Sequence, residues 1–261
     1  MEHNFKKKYG QNFLKDNNIL DKIANSVEIS NDDLIIEIGP GSGALTEKLI
    51  KKSKKLICFE IDTDLKKYLE IYESMGAKIV YGDFLKQNVI EIINEYKYKN
   101  LYIIANLPYY ITTPIIEKII NDKLLVDNCI FMVQKEVADR LKAKVGTKQY
   151  NSLTIFIDYY FEVNKLFDVN RNSFYPKPNV DSTIISLKKR KNYRVTLNNE
   201  KIFFKLIRDA FTYKRKTLRN NLKSYNLDII SKVLEKYNLD LNVRAENLNI
   251  EIFADISNSL S

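Results

Sequence analysis

Between Leu34 and Gln134 the chain repeats one pattern five times: a short, nearly continuous apolar run, then a stretch with polar residues at helical spacing. The runs are LIIEIG (34–39), KLICFEI (55–61), AKIVYGD (77–83), NLYIIAN (100–106) and NCIFMVQ (128–134). They are rich in Ile and Val and scarcely alternate, which is how strands buried on both faces of a parallel sheet read. Between them, ALTEKLIKKS (44–53) and TTPIIEKIIN (112–121) carry apolar residues at helical spacing. Alternating strands and helices close through right-handed βαβ crossovers. This part of the chain therefore predicts an α/β domain with a doubly wound, mostly parallel sheet. Ligands of such sheets sit outside the carboxyl ends of the strands, so the residues at the strand ends matter most.

The last part is built differently. All seven glycines lie no later than Gly146 and all five prolines no later than Pro178. EKIFFKLIRDAFTY (200–213) sets Ile202, Phe203, Leu206, Ile207, Ala210 and Phe211 on one helical stripe, and LDIISKVLEKY (227–237) repeats the pattern. The expected division is an α/β domain over 1–190 and a small all-helical domain over 191–261. Charge divides similarly. Lys188–Lys223 holds 13 Lys or Arg against Glu200 and Asp209, which exceeds the whole chain's net +9. One basic segment on an otherwise slightly acidic chain points to a polyanion partner. The excess of Lys, Asn and Ile reads as nucleotide-composition bias.

Several classes are disfavoured. No stretch approaches ~18 uncharged apolar residues, so no membrane span is expected. The N-terminus is basic but has no apolar segment after it, unlike a secretory signal. Cys58 and Cys129 lie in separate apolar runs and read as reduced core thiols, in keeping with the cytoplasm. With His3 as the one histidine, a histidine-based nucleophile or a His/Cys metal site is not expected.

Each strand end carries its own chemistry. In EIGPGSGAL, glycines at 39, 41 and 43 let the backbone turn tightly beside a ligand, and the next helix offers its N-terminal N–H groups. A phosphate-binding loop needs Lys and then Ser or Thr after the last glycine, and Ala44-Leu45 does not supply them. A dinucleotide fingerprint and the G-x-G-x-G loop of S-adenosylmethionine (AdoMet) methyltransferases both remain open. Glu60, 21 residues after Gly39, can accept both hydroxyls of a ribose in either class, or be a plain strand-end acid. Asp83 could accept from an exocyclic amine while Phe84 covers an adenine face, or Asp83 could simply cap a helix. A dehydrogenase has no need of that pair, which tilts the choice to AdoMet.

The fourth strand ends in NLPYY (106–110). Asn106 offers an amide oxygen, the proline holds the turn and leaves the Leu107 carbonyl as a second acceptor, and Tyr109 offers a flat face. Two acceptors and a ring face suit the N6 amine of adenine, whose lone pair is delocalised into the ring. Holding both N–H groups favours pyramidal geometry and turns the lone pair toward a methyl donor. Tyr110 receives no role.

Six stretches, in order, resemble one family: YGQNFL (9–14), EIGPGSGALT (37–46), NLPYYITTPII (106–116), FYPKPNVDS (174–182), AFTYKRKTLRNNL (210–222) and RAENLNIEIFADISN (244–258). They closely resemble the bacterial small-subunit ribosomal RNA adenine N6,N6-dimethyltransferase family, the KsgA type, over nearly the whole chain. The resemblance implies a Rossmann-like AdoMet-dependent fold. It also implies transfer of four methyl groups to two adjacent adenosines near the 3′ end of small-subunit (16S) rRNA in a pre-30S particle. By matched positions it implies cofactor contacts from Asn12, Leu14, Gly39, Gly41, Glu60, Asp83 and Asn106, with Gln11 nearby. It implies a target-base clasp of Asn106, Leu107, Pro108 and Tyr109 with Phe174 opposite, and RNA contacts from Lys214, Arg215, Lys216 and Arg219 in the C-terminal domain. No metal and no membrane are implied, and a monomer is the default. The related family that methylates large-subunit RNA usually lacks KRKTLRNNL and the RAENL ending, and often has Ser at the place of Gly10. Arg215 and Arg219 would share a helix face if that segment is helical.

Overall fold

Five of the strands in the central sheet are the five apolar runs. A computed structural model of the chain describes residues 12–108 and 111–261. The elements begin with β1 (Phe13–Leu14), α1 (Asn17–Ala24), β2 (Leu34–Ile38), α2 (Thr46–Leu49), β3 (Leu56–Glu60) and α3 (Lys66–Ser74). They continue with β4 (Lys78–Tyr81), α4 (Val89–Ile93), β5 (Leu101–Asn106), α5 (Thr112–Asn121), β6 (Asn128–Gln134), α6 (Lys135–Leu141) and α7 (Ser152–Tyr160). After these come β7 (Phe161–Val169), β8 (Phe174–Tyr175), β9 (Ser182–Lys189), α8 (Glu200–Ala210), α9 (Leu218–Asn221), α10 (Leu227–Glu235) and α11 (Ile250–Ser259).

The sheet runs β4-β3-β2-β5-β6-β9-β7. Strands β4, β3, β2, β5 and β6 are mutually parallel, and β9 pairs antiparallel with β6 from Asn128↔Lys188 to Gln134↔Ser182. Every residue of β2 and β3 is buried, as strands covered on both faces require. Ile35, Cys58, Ile104, Ile130 and Ile184 pack against Leu20 and Ile23 of α1 and Leu49 of α2. Each such side chain removed from water contributes about 1.5–3 kcal/mol. Strand order turns back at β2, with β3 and β4 to one side and β5 and β6 to the other. That reversal puts a switch-point crevice above the ends of β2 and β5.

The chain folds as two compact units, Met1–Ala138 with Asn164–Lys189, and Asp139–Val163 with Arg190–Ser261. This differs from a single cut at 190/191, because Asp139–Val163 joins the C-terminal helices. The reason is packing: Tyr150, Ile155 and Tyr159 are buried in one core with Phe203, Leu206, Ile230, Leu234 and Phe253. Arg194 bonds both Asp158 and Glu251, at 2.6 and 2.7 Å. The second unit has the expected helical character.

Three local readings change. Over 44–53 regular helix is confined to Thr46–Leu49, with turns on both sides. Strands β7, β8 and β9 carry no preceding strand–helix signal. Asparagine has a structural use here. Asn151, Asn199, Asn226 and Asn249 are N-caps whose side chains accept backbone N–H groups of α7, α8, α10 and α11. Each such cap contributes about 1 kcal/mol. Among the described residues no helix is long and apolar enough to cross a membrane.

Candidate active site

The carboxyl ends of β2, β3, β4 and β5 open on one cavity of about 260 Å³. Asn12, Leu14, Gly39, Gly41, Glu60, Asp83, Asn106, Leu107, Pro108 and Phe174 all line it. Residues far apart in sequence thus share a wall. Tyr109, Tyr110, Gln11 and Gly10 lie outside the described residues.

The floor comes from the loop after β2. Gly41 has φ +62°, and its N–H donates to Glu60 Oε2 at 3.0 Å. The Asp62 N–H donates to Glu60 Oε1 at 2.8 Å. Glu60 is buried, which raises its carboxyl above the ordinary value, while the N–H groups of Asp62 and Gly41 oppose the rise. These backbone donors take up part of the four lone-pair directions of the carboxylate and leave the rest for a ligand. Beside it, Ile61 is 44% exposed on the cavity wall and Phe84 is buried, its ring edge-on to Phe59 at 5.1 Å. Asp83 is a cap and also a cavity residue. One oxygen caps the turn that follows by accepting the Leu85 N–H at 3.0 Å, and the residue still lines the cavity. Ribose acceptors, an apolar slot and a strand-end acid fit an adenosine-bearing cofactor.

At the end of β5 the Leu107 N–H donates to the Met132 carbonyl at 3.3 Å, and the Pro108 carbonyl accepts the Ile111 N–H at 3.2 Å. The turn is tied on both sides of the proline. Asn106 Nδ2 donates to the Asn12 carbonyl at 3.1 Å, which sets Oδ1 as the opposite, acceptor end of the amide. Phe174 reaches the site from β8. That strand pairs antiparallel with β1, Leu14 opposite Phe174 and Phe13 opposite Tyr175. Glu37, which the sequence pattern does not single out, also lines the cavity. Its carboxylate accepts from Thr46 Oγ1 at 2.7 Å and the Cys58 thiol at 3.6 Å, and burial pushes its pKa up to about 7. Nothing in the strand pattern marks Glu37 as facing a ligand, since its neighbours are all apolar. Ile61 and Phe13 escape notice because an apolar residue on a cavity wall reads like core. Among the described residues no group of three His, Cys, Asp or Glu could hold a metal ion.

In the second unit Lys214, Arg215 and Lys216 are exposed in the turn between α8 and α9, and Arg219 is exposed on α9. The shared helix face for Arg215 and Arg219 does not form, because α8 ends at Ala210 and α9 starts at Leu218. The turn is shaped instead by Asn221 Nδ2, which donates to the carbonyls of Ala210 and Tyr213 at 2.6 and 3.2 Å. Lys214 Nζ donates to the Lys148 carbonyl at 3.2 Å, beside the exposed Lys142, Lys144 and Lys148. Sequence distance hides that second group of cations.

At the level of class, this sheet order with the site it carries is that of the Rossmann-like, AdoMet-dependent methyltransferases. The profile of the family described as ribosomal RNA adenine dimethylase matches residues 2–261, and the chain belongs to that family. The ribosomal RNA small subunit methyltransferase A of Bacillus cereus strain B4264 is 45% identical, over 98% of this chain and 91% of the relative. The protein of the same name from Bacillus mycoides strain KBAB4 is also 45% identical over the same shares. A crystal structure of a dimethyladenosine transferase from Plasmodium falciparum aligns with a TM-score of 0.77 and 31% identity, covering 94% of this chain and 95% of that one. The 23S rRNA methyltransferase ErmE shares the fold at a TM-score of 0.74 and 22% identity, covering 95% and 99%.

Proposed function

We propose that the protein dimethylates N6 of two adjacent adenosines near the 3′ end of small-subunit rRNA, using AdoMet, late in assembly of the small subunit. The observation that carries the chemistry is the Asn106 amide, whose donor end is held by the Asn12 carbonyl so that its acceptor end serves the cavity. The names of the 45% identical relatives support the choice of the small subunit.

When bound, AdoMet supplies a methyl group already activated by its sulfonium charge. Glu60 holds the ribose hydroxyls, Asp83 the adenine amine, and Asn12, Leu14, Gly39 and Gly41 the methionine side. Asn106 Oδ1 and the Leu107 carbonyl accept the N–H groups of the target amine and orient its lone pair. Each transfer would form one N–C bond as the sulfonium's S–CH3 bond breaks, its electron pair staying on the sulfur of the departing thioether, and would free one proton to water. Phe174 holds one face of the base, and Tyr109, by its place in NLPYY, holds the other. Taking the base out of its stack costs a few kcal/mol, and stacking contributes ~1–3 kcal/mol per contact in return.

The first unit is then the catalytic domain, and the second, with Lys214, Arg215, Lys216 and Arg219, is the RNA-binding domain. The protein acts as a cytoplasmic monomer on a pre-30S particle. The test is transfer from labelled AdoMet to unmethylated 30S or 50S subunits, with the modified base mapped. Label at two adjacent adenosines near the 3′ end of the 30S RNA is expected. Label confined to 50S subunits would overturn the substrate assignment.

A further inference from the structure

We propose that Phe13 is a positioning residue for the Asn106 amide, and this rests on the methyl-transfer reading above. The ring of Phe13 lies directly on Gly41. A Cβ at residue 41 would fall 2.7 Å from Phe13 Cε1, closer than real side chains approach. Gly41 is itself fixed, because its N–H is bonded to the buried Glu60 carboxylate at 3.0 Å. The other side of Phe13 is fixed as well. Residues 13 and 14 pair with 175 and 174, and the Lys15 N–H donates to the Ser173 carbonyl at 3.0 Å. Leu14 and Phe174, the second pair of this ribbon, are both buried in the core of the first unit.

The carbonyl immediately before this anchored ring is that of Asn12, and it accepts Asn106 Nδ2. A primary amide has a donor end and an acceptor end, related by a half-turn. Without a fixed partner for Nδ2 the amide presents either end. If it presents NH2, the target amine faces a donor, and its N–H groups lose one of their two acceptors. Phe13 thus acts through the Asn12 carbonyl, holding Asn106 in the orientation that accepts. The first transfer starts from an amine with two N–H groups. The second starts from one N–H, and where that hydrogen is directed to Asn106 Oδ1 no second hydrogen bond holds the amine if the acceptor turns away. Loosening Phe13 is therefore expected to cost the second methyl more than the first.

The experiment compares wild type, Phe13→Ala and Phe13→Leu, with folding checked by thermal unfolding. Expected for Phe13→Ala is a single-turnover rate on unmethylated 30S subunits, at saturating AdoMet, lower by about tenfold to hundredfold. AdoMet affinity, measured by calorimetry, falls by a smaller factor than the saturated rate. The product shifts from dimethyl- toward monomethyladenosine, and Phe13→Leu, which keeps an apolar cover on Gly41, recovers part of both. In protein labelled with 15N-asparagine and free of AdoMet, the side-chain amide signals lost in Asn106→Ala shift in Phe13→Ala toward those of exposed asparagines. Unmoved Asn106 signals, or weaker AdoMet affinity with an unchanged saturated rate, would overturn the positioning role. A wild-type protein that methylates no rRNA would sink the methyl-transfer reading, and the amide signals would still decide the role of Phe13.

Discussion

At Asn106 the proposed chemistry depends on one end of one amide. Truncating it to Ala removes an acceptor from the target amine while leaving the exposed cations of the second unit in place. Methyl transfer by Asn106→Ala should fall by about 10²–10³-fold, the scale for one preorganised hydrogen-bonding group. RNA binding in a filter assay should survive, and near-normal turnover would contradict the proposed clasp. Glu37 makes a different prediction. Its carboxyl sits near 7 in the folded chain because burial disfavours its charge, against 4.5 for the ordinary group. The folded state holds the proton more tightly, so stability from this group is complete below pH ~4.5 and is lost as pH rises to ~7. The loss is about 3 kcal/mol. Glu37→Gln keeps an acceptor for Thr46 and Cys58 and carries no charge. In urea titrations of the cofactor-free protein it should match wild type at pH ~4 and exceed it at pH ~8, by up to about 3 kcal/mol. A mutant-minus-wild-type difference that does not change with pH would contradict the assignment.

At the scale of elements, the loop after β2 is determined by packing as well as by ligand access. Gly43 has φ +87°, and a Cβ there would lie 2.2 Å from the Tyr72 ring of α3. Left-handed backbone costs roughly 1–2 kcal/mol for an L residue, and overpacking adds about 1–3 kcal/mol. Gly43→Ala should therefore lose about 3 kcal/mol in denaturant unfolding. A cycle with Tyr72→Ala should recover only the steric share. The glycine loop was legible in the sequence as a close-approach turn, but not that an aromatic side chain is what approaches Gly43. The same limit runs through the fold. β2 to β6 were readable because parallel strands buried on both faces leave uninterrupted apolar runs. β8 was not, because a two-residue strand is defined only by its partner β1. The acids and the amide at strand ends were readable because spacing along one parallel sheet places them together. Phe13 and Ile61 were not, since nothing local separates a wall of a cavity from core. Arg215 and Arg219 were readable as cations but not as geometry. The turn that carries them is set by Asn221 and by backbone bonds from Leu218 and Arg219 to Val243 and Leu241, at 2.9 and 3.0 Å.

At the scale of the whole molecule, the proposed function needs a small active site to reach two adenosines within a large polyanion, and the charge distribution bears on that. The segment Phe211–Lys223 contains no acid, and neither does Lys142–Lys148. Within the second unit the two are joined where Lys214 Nζ meets the Lys148 carbonyl. Affinity from such cations comes from counterion release, so it appears as a slope of log K on log salt, with about 0.7–0.9 per phosphate neutralised. Arg215→Ala with Arg219→Ala should therefore lower the slope for RNA by about 1.5 and weaken binding most at low salt. Lys148→Ala added to that pair should lower it by about one unit more, if the two loops meet one RNA backbone. AdoMet affinity is expected to stay constant across the series, because none of these residues lines the cavity. Filter binding of the RNA at graded salt, with calorimetry for AdoMet, measures both quantities on the same preparations. A slope unchanged in the double variant would place the RNA contacts on other cations, whereas a slope that falls only when Lys148 is removed would make the 142–148 loop the principal contact.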